Sequence, residues 1–196
     1  MTATRVARTP AAQRAVLTEA LTLSGWTAKR TPARQYPHLP KVVELVPPPG
    51  SMQLKLLLVS YPHSDGQLAE LIAEPTRLAA KGGRGMRPSW RLSAFDAPAT
   101  AVLAAAKAAA EEANVPTLDV AGWEISNAYS VAGQLTATCF TDPQSGVDAT
   151  FHFPMSAGDC GGWLINGTRC YADASAHVPG AVIHALATGL NSSASL

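Results

Sequence analysis

Residues 89–113, SWRLSAFDAPATAVLAAAKAAAEEA, decide how this chain reads, because a strand, a cap and a helix follow one another without interruption. Trp90, Leu92 and Ala94 alternate with Arg91, Ser93 and Phe95, the period of two expected of a strand that buries one face. Asp96 offers a side-chain acceptor to the unpaired amides of a first helical turn. Pro98 fits inside that turn, where its missing N–H would have had no intrahelical partner. Ala99, Val102, Leu103, Ala106 and Ala110 then make one narrow apolar stripe, narrow enough for the helix to lie close against a sheet. Lys107, Glu111 and Glu112 point away into water.

Working outward, a similar succession returns near the far end. Trp163-Leu164-Ile165 reads as a strand, Asn166-Gly167 as a turn, and a polar approach leads to Pro179. After it, Val182, Ile183, Leu186 and Leu190 have helical spacing, and Gly189 and Asn191 are helix-ending residues. Each succession is preceded upstream by the same dipeptide, Gly25-Trp26 and Gly122-Trp123. The expectation is an α+β protein of two tandem strand-rich repeats. Each has about four antiparallel strands and then a helix, and the two pack as a pseudo-dimer with an extra N-terminal helix. Residues 1–113 form the first repeat with that helix and residues 118–196 the second. Glu74–Pro88, EPTRLAAKGGRGMRP, has no counterpart in the second and reads as an insertion.

Between these landmarks the chain is strand-like. Thr9-Pro10 opens an amphipathic helix that runs through Val16, Leu17 and Leu21 to Gly25. Strands are expected at Trp26–Arg34, Lys41–Val46 and Met52–Ser60, the last central, with Gln67–Ala73 a short strand or helical turn. In the second half the strands are Val120–Tyr129, Gln134–Phe140 and Val147–Phe153, separated by turn signals.

The Gly-Trp strand, the antiparallel strands, a strand carrying Trp90 and Phe95, and an alanine helix opened by Pro98 together resemble an uncharacterised domain of actinobacterial proteins that often occurs in tandem. The second half matches through Gly162, Trp163, Pro179 and Leu186 but has Tyr171, in a different register, in place of the phenylalanine. That resemblance covers most of the chain and implies no activity. Two four-strand-and-helix units are also similar in topology to Whirly-type single-strand DNA binders, a likeness of fold alone.

At 196 residues, 47% hydrophobic and 15% charged, the composition is that of a globular protein rather than a disordered one. No apolar run approaches the ~18 residues of a membrane span, and the N-terminus lacks the apolar core of a secretory signal. Cys139, Cys160 and Cys170 are odd in number and have no CxxC spacing, which favours free thiols and a cytoplasmic location. The net charge of +1 hides an asymmetry. Residues 1–91 hold 13 Lys/Arg against 5 Asp/Glu, and residues 92–196 hold 2 against 9. The halves therefore carry +8 and −7, which speaks of partners or assembly and not of fold.

The basic half supplies the leading candidate site. Arg77, Lys81, Arg84, Arg87 and Arg91 fall close together around Gly82, Gly83 and Gly85, with Trp90 adjacent. Flexible glycines let amides and guanidinium forks converge on phosphates, and an exposed tryptophan would stack a base. Lys29, Arg30 and Arg34 extend the basic surface. The expectation is a non-catalytic binding protein with DNA as first partner and these eight residues as phosphate contacts. The alternative is a protein–protein or assembly module, including a homo-oligomer, docking through its opposite charges. A third reading takes Gly158-Asp159-Cys160-Gly161-Gly162, which resembles the nucleophile loop of chymotrypsin-like viral cysteine proteases. Cys160 would then be the nucleophile and His38 or His63 the base. Duplication explains the same glycines as a turn into a strand. His38, His63, His152, His177 and His184 show no metal-ligand spacing. With no GxxxxGK[ST] and no GxGxxG, no cofactor is indicated.

Overall fold

The structure is a computed structural model that describes residues 10–30, 40–48, 53–60, 67–74, 76–77, 86–87, 89–111, 121–168 and 170–192. Its first helix, α1 (Pro10–Leu23), leads into strands β1 (Thr27–Arg30), β2 (Lys41–Val46), β3 (Leu54–Ser60) and β4 (Gln67–Ala73). Two short strands, β5 (Thr76–Arg77) and β6 (Met86–Arg87), form a separate antiparallel ladder. Then come β7 (Trp90–Phe95) and α2 (Ala99–Ala110). The second half is β8 (Glu124–Tyr129), β9 (Leu135–Thr141), β10 (Asp148–His152), β11 (Gly162–Asn166), β12 (Tyr171–Ser175) and α3 (Gly180–Ser192).

The expected pair of four-strand-and-helix repeats packed as a pseudo-dimer is not what forms. Ten strands make one antiparallel sheet in the order β1-β2-β3-β4-β7-β12-β11-β10-β9-β8. The joint is β7, which pairs with β4 on one side (Leu71↔Leu92, Ala69↔Ala94) and with β12 on the other (Ala172↔Ala94, Ala174↔Leu92). A strand satisfied on both sides leaves no edge at which the halves could part. The strand that closes this joint, β12, is the one the sequence conceals. YADAS buries only Ala172 and Ala174, so its inward face has almost no hydrophobic signal, and it reads as a polar approach to Pro179.

All three helices lie on one face of the sheet. That face carries Leu45 of β2, Leu56 and Leu58 of β3, Ala69 and Leu71 of β4, Leu92 and Ala94 of β7, and Ile165 of β11, all at most 3% exposed. α2 and α3 pack side by side over the middle, with Val102, Ala105 and Leu186 meeting the leucines of β3, β4 and β7. Between them lies an apolar void of about 10 Å³, room for about one water at most and with no polar group to hold it. Small residues make this closeness possible. A Cβ added at Gly189 would lie 2.9 Å from the Ala101 Cβ and 3.1 Å from its amide nitrogen.

α1 lies beside α2 and β1, with Leu17 and Leu21 buried in the common core that also holds Trp26 and Leu45. Arg14 Nη1 donates to Ser60 Oγ at 2.6 Å, tying the helix to the end of β3.

Two details of the opening stretch differ from expectation. Asp96 lies two residues before the N-cap position of α2. Its backbone takes φ 53°, a left-handed conformation that aspartate tolerates better than most residues. The cap position is Pro98, whose carbonyl accepts the amides of Ala101 and Val102. The buried stripe of α2 is Ala101, Val102, Ala105, Ala106 and Ala109, rotated from the expected one because the helix is packed by α1 and α3 as well as by the sheet.

Candidate functional site, an aromatic cleft at the uncovered end of the sheet

The helix layer does not reach the far end of the sheet. On the helix side, cross-strand rows run Ile125–Phe140–Ala149–Ile165 and Asn127–Thr138–Phe151–Trp163. Ala149 and Ile165 are fully buried under α3, whereas Ile125 is 57% and Tyr129 62% exposed. Beyond α3 no described helix covers β8 and β9. Between the N-terminal end of α3 and these strands opens a cleft of about 240 Å³, lined by Thr138, Phe140, Phe151, Phe153, Trp163 and Val178, with Gly180 at its rim.

The rings hold one another in place. Trp163 meets Phe151 edge-on at 5.0 Å between centroids and Phe140 at 6.0 Å, while Phe153 meets Phe151 at 5.0 Å and 85°. Such pairs contribute about 0.5–1.5 kcal/mol each beyond burial, so the cleft is pre-formed. Asn127 Oδ1 accepts the Thr138 hydroxyl at 2.9 Å, and Thr141 Oγ1 donates to Asp148 Oδ1 at 2.7 Å on the other face. This half is acidic, but Glu124, Asp148 and Asp173 alternate with the cleft rows and lie on the other face of the sheet, which leaves Asp142 and Asp159 in the turns at this end. Among the described residues after Arg91 the only lysine or arginine is Lys107, on the exposed side of α2.

Two acidic turns frame this end. Asp142 Oδ2 accepts the Ser145 hydroxyl at 2.7 Å and its Oδ1 the Gln144 amide at 3.0 Å. These bonds favour the ionised carboxylate and hold it below its ordinary range. Asp159 accepts the amides of Gly161 (3.0 Å) and Met155 (3.1 Å), with the same consequence. In the loop that suggested a nucleophile, then, the aspartate is spent on closing the turn. Gly161 beside it sits at φ 61°, with room for no Cβ because the His152 carbonyl oxygen would be 2.5 Å away. Cys160 is exposed, and the proposed bases His38 and His63 lie outside the described residues. No group of three or more His, Cys, Asp or Glu suited to a metal occurs among the described residues.

Of the basic candidates, Lys29 and Arg91 are described with carboxylate neighbours. Lys29 lies 3.8 Å from Glu44 across β1–β2, and Arg91 lies 3.9 Å from Glu70 across β4–β7. Both pairs sit on the face of the sheet away from the helices, with Lys55–Glu74 at 3.0 Å beside them. Arg77 and Arg87 belong to the β5–β6 ladder, where Arg77 pairs with Met86 and Thr76 with Arg87. Arg30 is the last residue of β1. Lys81, Arg84 and Arg34 lie outside the described residues. Trp90 is 5% exposed and part of the core, so it offers no face for a base to stack on.

Phe140, Phe151, Phe153 and Trp163 alternate as core residues do, and nothing in a single strand's pattern distinguishes a ring under a helix from one left open. No family model, curated protein or solved structure matches the chain.

Proposed function

We propose that the protein is a non-catalytic binding protein that receives an amphipathic, basic helix of a partner protein in the cleft beside α3. The observation that carries this is the contrast in cover. At the opposite end of the same sheet face, the chain's own α1 lies over the strands and buries Leu17 and Leu21, while the end formed by β8 and β9 exposes Ile125 and Tyr129 and has no covering helix among the described residues. Apolar anchors at helical spacing laid into such a groove are a recurrent mode of recognition, and aromatic pockets at the centre of an interface supply most of its affinity. The preference for a basic helix comes from the excess of carboxylates in residues 92–196.

The test is titration of the full chain with two synthetic amphipathic helices sharing one leucine stripe, one lysine-rich and one glutamate-rich on the polar face, followed by fluorescence of Trp163 above the background of the other tryptophans. The lysine-rich peptide should bind at about micromolar Kd and more tightly than the other, and Thr138→Arg, which fills the cleft, should abolish the signal. Absence of binding by either peptide at about 1 mM, or binding that Thr138→Arg leaves intact, would sink this reading.

The charge distribution favours a second reading, DNA bound through the basic half. Thirteen Lys/Arg against 5 Asp/Glu in residues 1–91 is the footprint of a polyanion partner. Binding of labelled single- and double-stranded DNA across a salt series, wild type beside Arg84→Glu/Arg87→Glu, tests it. A steep negative salt slope lost in the double variant supports the phosphate role of these arginines. No binding at about 50 mM salt rejects it.

A further inference from the structure

The sheet has two ends, and they are unequally protected against pairing with another chain. At one end β1 is four residues, TAKR, with Lys29 and Arg30 among them. Short length and cations are what keep an edge strand from acting as a template. At the other end β8 is six residues, Glu124-Ile-Ser-Asn-Ala-Tyr129, every one exposed, with no proline and no cation. The one irregularity, a bulge at Ala128/Tyr129, falls next to the hairpin and leaves Glu124–Ala128 in regular register with β9.

From this edge we infer that β8 pairs antiparallel with β8 of a second copy, continuing the sheet across a two-fold axis. A two-fold perpendicular to the sheet keeps each face on its own side, so only residues of like parity can meet. Centred on Asn127, that register sets Ile125 opposite Tyr129 of the second copy, and Tyr129 opposite its Ile125. Both pairs lie on the helix side, where these two side chains are now exposed. Aromatic–aliphatic pairs of this kind stabilise a sheet, and like charges directly opposite destabilise it. None meet here: Ser126 falls opposite Ala128 and Glu124 opposite Ser130. Moving the centre to Ser126 would put Ile125 against the polar Asn127, which makes that register the poorer one. The pairing uses an edge and not the cleft, and does not depend on what the cleft holds.

Sedimentation of the full chain over a concentration series tests the assignment together with cross-linking. The expected result is a monomer–dimer equilibrium with Kd on the order of 10 µM. Asn127→Lys, which places two cations face to face at the axis, should weaken it at least about tenfold. In a Cys160→Ser background, Asn127→Cys should form an intermolecular disulfide, since cross-strand Cα distances of about 4.5–5.5 Å lie within disulfide reach. A monomer throughout the series would overturn the inference, as would a dimer indifferent to Asn127→Lys and not cross-linked at 127. Open-ended growth would also overturn it, because it would mean that β8 pairs with β1 of the next copy. Helix-peptide binding by the wild-type chain, measured in parallel above and below the dimer Kd, separates failure at the edge from failure of the cleft.

Discussion

The two ends of the sheet make opposite use of the same kind of strand. At the β1–β3 end the apolar face is closed by α1, and Leu17, Leu21, Leu45 and Leu58 are at most 1% exposed. At the β8–β10 end it is left to rings that lean on one another, and Ile125 and Tyr129 stand in water. Removing apolar area from water contributes about 25 cal/mol per Å², so the first end contributes to stability, and on the proposed function the second keeps that free energy for a partner helix. The difference is in cover, not composition.

The largest expected effect comes from breaking the covered end. Leu17→Ala or Leu21→Ala should cost about 2–5 kcal/mol each, the range for truncating a fully buried leucine, read as a fall in the urea midpoint at unchanged slope. Ile125→Ser at the open end should change stability by no more than about 0.5 kcal/mol, as exposed substitutions do. Equal losses at the two sites would erase the contrast. Next in size is Gly189→Ala. A methyl group there meets Ala101 of α2, and the strain of separating two packed helices should cost about 1–3 kcal/mol, measurable by thermal unfolding.

A smaller effect sharpens the comparison from the binding side. Phe153→Ser removes one wall of the cleft at its solvent side, and should weaken the lysine-rich peptide about tenfold while lowering stability less than either leucine truncation does. The smallest concerns the turn at the open end. The Asp142 carboxylate is held low by the Ser145 hydroxyl and then by the Gln144 amide, so its stabilisation is full above the unfolded aspartate pKa of about 3.9 and is lost as pH falls through the lower folded value. Asp142→Asn should therefore cost at most ~0.5 kcal/mol at neutral pH, given how exposed the group is, and the difference from wild type should vanish in strong acid. A gap that persists there would assign the effect to something other than the charge.

Local pattern carried much of the secondary structure. The alternation of Trp90, Leu92 and Ala94 places β7, and the alanine run ahead of Lys107 places α2, because both signals lie within a few residues of one another. The five-residue strand at Tyr171 escaped, since alanines at 172 and 174 are the only inward residues that fit beneath α2 and α3 and are too small to announce a strand. The two-repeat reading rested on the recurrence of Gly-Trp, a tryptophan-led strand and a proline-opened helix, and with β12 unread nothing showed that β7 joins the two sets of strands into one sheet. The candidate site was less legible still. The glycine–arginine segment drew attention by its charge, while Phe140, Phe151 and Trp163 looked like core.

By itself, then, the sequence determined where much of the chain turns, where most of the longer strands and the three helices lie, and that its charge divides into a basic and an acidic half. These follow from side chains a few residues apart or from a simple count. Only the tertiary structure decided that β7 and β12 fuse the strands into one sheet, that Lys29 and Arg91 lie beside carboxylates, and that among the described residues no helix covers one end of the sheet. Each of those depends on partners 15 to 80 residues away along the chain, and burial at such a range is set by packing, which no local period records.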